Sequence, residues 1–137
     1  SFFTEAFQEH LLKVVRIPLP QKGSKASAEA LRKAIAEHQP AAFIFEALVQ
    51  GASGMQIYSP EDLDELLSIA QANGVITIAD EVMTGFGRTG RTFACDYLNH
   101  KPDIMCLSKA LTGGTIPLAV TTATQRIFDG FYSDDVN

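Results

Sequence analysis

Lys109 lies in Cys106-Leu107-Ser108-Lys109-Ala110-Leu111-Thr112-Gly113-Gly114, directly after the apolar run Ile104-Met105-Cys106-Leu107. Earlier in the chain a second apolar run, Val75-Ile76-Thr77-Ile78-Ala79, ends in Asp80-Glu81. An unprotonated amine can attack a carbonyl carbon and form a Schiff base, and an apolar, partly closed setting favours that form. A carboxylate facing a pyridine nitrogen keeps the ring protonated and makes it a stronger electron sink. An amine and a carboxylate at two buried strand ends therefore meet two demands of pyridoxal phosphate (PLP), with Val82 placed to lie against the face of the ring. Taken singly, a lysine in a loop is most often just solvated, and a strand-end carboxylate often caps a loop. Their joint placement among glycines favours the chemical reading.

These residues need a scaffold. Strands and helices alternate along the chain, the pattern of a mainly parallel α/β sheet with flanking helices. Val14 to Leu19 is a candidate strand weakened by Pro18. Ser27 to His38 places Ala30, Leu31, Ala34 and Ile35 on one helical face, and Pro40 stops the helix. Ala42-Phe43-Ile44-Phe45 reads as a buried strand ending at Glu46. Ser59 suits an N-cap, Pro60 the first helical position, and Glu61 and Asp62 the positive end of the helix dipole. Leu63, Leu66, Leu67 and Ala70 supply the apolar stripe of that helix, and Gly74 a left-handed exit. Strands follow at 75–79 and 104–107. Ile116 to Thr122 reads as a last strand. Its connection is too short for a crossover helix, so it should run antiparallel. Open α/β sheets bind ligands at the carboxyl ends of their strands. Glu46, Asp80 and Lys109 all fall there.

Composition narrows the function classes. In 137 residues, 46% are hydrophobic and 20% charged, with a net charge of −5. That is a globular balance with no basic stripe for nucleic acid. No apolar stretch approaches the ~20 residues needed to span a bilayer, and Ser1-Phe2-Phe3-Thr4-Glu5 lacks the pattern of a secretory signal. Cys95 and Cys106 are the only cysteines. In apolar surroundings they read as reduced core thiols, which fits a cytoplasmic protein. Neither they nor His10, His38 and His100 have metal-site spacing, so no metal is expected and the histidines read as surface residues. Phe2, Phe3 and Phe7 fit one face of a short helix.

Two longer stretches carry a resemblance. Ala79-Asp80-Glu81-Val82-Met83-Thr84-Gly85-Phe86-Gly87-Arg88-Thr89-Gly90 and Pro102-Asp103-Ile104-Met105-Cys106-Leu107-Ser108-Lys109 resemble the signature of the class III PLP-dependent aminotransferases. Glu46-Ala47-Leu48-Val49-Gln50-Gly51-Ala52-Ser53-Gly54-Met55 is similar to the branch that serves biotin biosynthesis, as are Lys109 to Thr115 and Pro117-Leu118-Ala119. Ala47 stands where that branch carries a proline. Met83 and Ala52 stand where many other omega-aminotransferases carry Gln and Glu, which counts against ornithine- or GABA-type enzymes.

The resemblance implies part of the large domain of a fold-type I PLP-dependent transferase. It implies Lys109 as the Schiff-base lysine and Asp80 as the partner of the pyridine nitrogen. Glu46, Gln50 and Arg88 would line the site or the substrate entrance, with Arg88 and Arg91 possible contacts to the partner of a homodimer. The small-molecule substrates would be S-adenosylmethionine and 8-amino-7-oxononanoate. A different donor such as lysine, another class III enzyme, or a non-catalytic α/β module are the alternatives. The family also uses a phosphate cup, a ring-stacking aromatic and a substrate-binding arginine with no counterpart motif here. The chain, which does not start with Met, is therefore expected to be a fragment that neither holds PLP tightly nor turns over by itself.

Overall fold

The computed structural model describes residues 11–132. The suggested helix carrying Phe2, Phe3 and Phe7, and His10, lie outside those residues. Helix α1 spans Ala26–His38, strand β1 Ala42–Glu46, the short strands β2 Val49–Gln50 and β3 Gln56–Ile57, and helix α2 Pro60–Ala72. Strand β4 is Ile76–Asp80, β5 Ile104–Leu107, β6 Val120–Ala123, and helix α3 Gln125–Asp129. The main sheet has the order β1-β4-β5-β6. Its first two pairings are parallel and the third is antiparallel.

Helix α2 forms for the reasons its sequence gives. Ser59 Oγ accepts from the Asp62 backbone N–H at 3.1 Å, and Pro60 occupies the first turn. Gly74 leaves the helix at φ +72°, and the Val75 N–H returns to the Ala70 carbonyl at 3.0 Å. One side of the α2 stripe, Leu63 and Leu67, packs with Phe45 and Ala79 on one face of the sheet. The other side, Leu66, Ile69 and Ala70, packs against Ala28 and Leu31 of α1. The buried stripe of α1 is Ser27, Ala28, Leu31 and Ala34, one step round the helix from the expected face.

Two expected strands differ. Residues 14–19 form no strand. Pro18 and Pro20 remove two donors, and Ile17 and Leu19 instead pack singly against the two core clusters. The last strand is antiparallel as expected, but it begins at Val120 rather than Ile116. Before it, Pro117 offers no N–H, and the Leu118 carbonyl is taken by the Ser108 hydroxyl at 2.8 Å.

Alternation along the strands separates two faces. Phe45, Thr77, Ala79 and Leu107 are buried on the helix side. Ile44, Ile78 and Ile104 form a cross-strand row on the opposite face. Ile44 there is 64% exposed.

Candidate active site

The carboxyl edge of the sheet gathers the chemistry. Glu46 of β1 is in register with Asp80 of β4, and Asp80 with Cys106 of β5. By alternation these three stand in one row on the face that carries Ile44, Ile78 and Ile104. Cys106, read from sequence as core, is therefore only half-buried and sits beside Asp80.

Asp80 is fixed by one oxygen. Its Oδ1 accepts from the Val82 N–H at 2.9 Å. Its Oδ2 accepts nothing among the described residues, so one carboxylate oxygen remains open for an N–H donor. Val82 is itself half-buried at the start of the turn that follows.

Lys109 lies three residues beyond Cys106, within about 11 Å of it along the chain. Its side chain is exposed and forms no ion pair or hydrogen bond among the described residues. Its backbone has φ 43°, in the left-handed region that costs an L-residue roughly 1–2 kcal/mol. The turn is held by the Leu111 N–H on the Ser108 carbonyl at 3.0 Å and by Thr112 Oγ1 donating to the Ile116 carbonyl at 2.9 Å.

A second wall comes from the β2–β3 hairpin, which the sequence shows only as a Gly-rich loop. Glu46 Oε2 accepts from the Gly51 N–H at 2.8 Å. Glu46 thus holds the hairpin, and no base pairs with it among the described residues. A Cβ on Gly51 would stand 2.4 Å from Met83 Sδ, so a side chain there would push the end of Met83 aside. The Tyr58 hydroxyl donates to the Glu46 carbonyl. Burial, then the Glu46 carboxylate, push that phenol far above its ordinary range. Gln50 is half-buried in β2, beside this wall.

The arginines separate. Arg88 is exposed and unpaired among the described residues. Arg91 lies over the Tyr97 ring at 4.3 Å and is internal to its loop. His100 is not a plain surface residue: its backbone N–H donates to Asp64 Oδ1 at 2.8 Å and its ring meets Oδ2 at 3.1 Å.

The residue missed from sequence is Glu81. It is fully buried and accepts from Thr84 Oγ1 at 2.8 Å, Ala94 N–H at 3.0 Å and Cys95 N–H at 2.7 Å. Alternation carried the signal, since Asp80 on one face sends its neighbour to the other. Burial, then the Glu81 carboxylate, push the Cys95 thiol far above its ordinary range, which keeps it unreactive.

A cleft of about 480 Å³ lined by Arg32, Ile35, Ser68 and Asn73 is not part of this site. It lies near the C-terminal end of α2, which leads into the amino end of β4, and so at the opposite edge of the sheet.

A mainly parallel sheet with flanking helices, carrying an open lysine and a half-open aspartate at its carboxyl edge, is an α/β fold of the kind that binds ligands at that edge. The sequence pattern of the family described as aminotransferase class-III matches residues 3–135, and the chain belongs to that family. Class-III aminotransferases work with PLP. The chain is 45% identical over 142 residues to adenosylmethionine-8-amino-7-oxononanoate aminotransferase of Synechococcus elongatus, covering 97% of this chain and 34% of that protein. The crystal structure of the enzyme of the same name from Methanocaldococcus jannaschii superposes with a TM-score of 0.81 at 35% identity, covering 97% of this chain and 31% of that one. Ornithine aminotransferase from Toxoplasma gondii, whose structure is described as having partial occupancy of PLP at its active site, gives a TM-score of 0.70 at 31% identity, over 77% and 25%. The chain thus spans about a third or less of the length of the relatives it matches. No helix among the described residues is long and apolar enough to cross a membrane.

Proposed function

We propose that residues 1–137 form part of the large domain of a cytoplasmic, homodimeric enzyme. It takes the amino group of S-adenosylmethionine and passes it to 8-amino-7-oxononanoate, giving 7,8-diaminononanoate. The observation that carries this reading is the open carboxyl edge, where Lys109 and Asp80 Oδ2 are both unengaged among the described residues. The likeness to two enzymes of that name across 97% of the chain supports the substrates.

The residues present fit PLP. Asp80 offers one oxygen while its other is held by Val82, and the exposed Lys109 amine stands on the next strand's end. When bound, PLP supplies the electron sink for breaking a bond at the carbon that bears the amino group. Asp80 Oδ2 would accept the ring N–H, a charge-assisted hydrogen bond. Lys109 would hold the cofactor covalently and, as the free amine, would take the proton from the substrate carbon. Val82 would pack on the ring face. The Glu46–Gly51–Met83 wall closes one side, with Gln50 beside it, and Arg88 stands free to meet a substrate or the partner subunit.

Lysine as donor, or another class-III reaction such as that of ornithine aminotransferase, is the second reading, favoured only by the ornithine aminotransferase likeness. The test is transamination by the complete enzyme with S-adenosylmethionine, lysine and ornithine in parallel, coupled to detection of 7,8-diaminononanoate. Product with S-adenosylmethionine is the expected result. Turnover with ornithine and none with S-adenosylmethionine would overturn it.

A further inference from the structure

We infer that Glu81 is a positioning residue for Asp80, an inference that rests on the reading of Asp80 given above. No step of the proposed reaction uses Glu81, yet it is the one buried carboxyl group among the described residues. It is 0% exposed. Both of its oxygens are engaged, one by the Cys95 N–H and the other by Thr84 Oγ1 and the Ala94 N–H. Its backbone is held as well: its N–H donates to the Cys106 carbonyl at 3.0 Å, and its carbonyl accepts from the Gly85 N–H at 2.9 Å.

Those bonds surround the one donor that orients Asp80. The Val82 N–H belongs to the peptide unit that begins at the Glu81 carbonyl carbon. Fixing Glu81 by backbone and side chain fixes the direction of that N–H. The Val82 N–H in turn holds Asp80 Oδ1 at 2.9 Å and leaves Oδ2 without a donor among the described residues. The Glu81 carboxylate also pins residues 94 and 95, so the segment between β4 and β5 closes back on its own start. Among the described residues no cation pairs with Glu81. Three neutral donors converging on two oxygens suit a carboxylate and no other side chain of that size. A glutamine there keeps the volume but supplies one acceptor oxygen instead of two, leaving at least one buried donor without a partner.

The test uses the complete enzyme with Glu81→Gln, Asp80→Asn and the double variant, together with backbone amide exchange in the cofactor-free protein. Glu81→Gln is expected to speed exchange of the Val82 amide about tenfold, with the overall fold retained. In the loaded enzyme it should lower kcat about tenfold with little change in KM. In the Asp80→Asn background the same change should lower kcat less than about twofold, because a residue that acts through Asp80 has nothing left to position. If Glu81→Gln does not fold, Thr84→Val removes one of the three bonds while leaving the carboxylate, and should give the same pattern at smaller amplitude. Additive losses in the double variant, or an unchanged Val82 amide, would overturn the positioning role while leaving Asp80 as the ring partner. A neutral Asp80→Asn would overturn the Asp80 reading and the inference with it.

Discussion

Gly85→Ala tests whether the turn after β4 is as tightly closed as its geometry says. An added Cβ would stand 2.9 Å from the Glu81 carbonyl oxygen, about half an ångström inside the 3.4 Å at which ordinary contact begins. The atom it meets is backbone, and that oxygen already accepts the Gly85 N–H at 2.9 Å. Neither can swing aside as a side chain would, so the turn must open. Forcing a methyl into a packed site costs about 1–3 kcal/mol. Replacing glycine by alanine also stiffens the unfolded chain, which offsets about 0.4–1 kcal/mol. Overpacking wins, and a local destabilisation of about 1–2 kcal/mol remains, a factor of about 5–30 in the opening equilibrium. Native-state amide exchange in the complete enzyme reads this directly: the Gly85 and Val82 amides should exchange faster by that factor. Gly87→Ala is the comparison. A Cβ there meets nothing within 4 Å, and its φ of +94° strains only the outer loop. Unchanged exchange at Gly85 and Val82, or equal effects from Gly87→Ala at Val82, would refute the reasoning.

Lys109→Ala should abolish both turnover and the covalently bound cofactor band. Borohydride reduction and peptide mapping that found the cofactor on another lysine would contradict the assignment. Asp80→Asn should retain measurable PLP binding but lower kcat by about a hundredfold or more, because the open oxygen no longer keeps the ring nitrogen protonated. Steady-state kinetics decide it. Two carboxyls should govern the acid limb of stability. Burial pushes Asp64 up, but hydrogen bonds from the His100 backbone, Asn99 and the His100 ring outweigh it and hold it below its ordinary value of 3.8. Asp103 is likewise pushed up by burial and carried below 3.8 by Thr77 and Arg126. Folded values below unfolded ones mean stability that is present above pH 3.8 and lost as pH falls through the lower folded values. Urea midpoints measured between about pH 5 and pH 1 should show it, and Asp64→Asn or Asp103→Asn should flatten that fall.

Sequence alone determined most of the local elements and the candidate reacting groups. Helix α2 was legible from Ser59 to Gly74 because capping, dipole and apolar period act within a few residues of one another. Strands β1, β4 and β5 were legible as short apolar runs, the first two ending in Glu46 and Asp80 and the third followed closely by Lys109, and an alternating βα order implies parallel pairing with those ends on one edge. The signature around Asp80 and Lys109 was legible because amine and carboxylate chemistry is a property of residue type. Register was not legible. Only the paired strands put Glu46, Asp80 and Cys106 in one row and turned Cys106 from a core residue into a neighbour of the site. The Met83 contact over Gly51 and the His100–Asp64 link join residues far apart in the chain, and no local pattern encodes such distances. Residues 14–19 read as a strand because their composition is apolar, but a strand also needs a partner with free donors and acceptors, and two prolines and the packing of Ile17 and Leu19 decided against one. Glu81 shows the same division: its charge suggests solvent, while its fully buried, triply bonded state depends on where residues 84, 94 and 95 return, which only the folded chain settles.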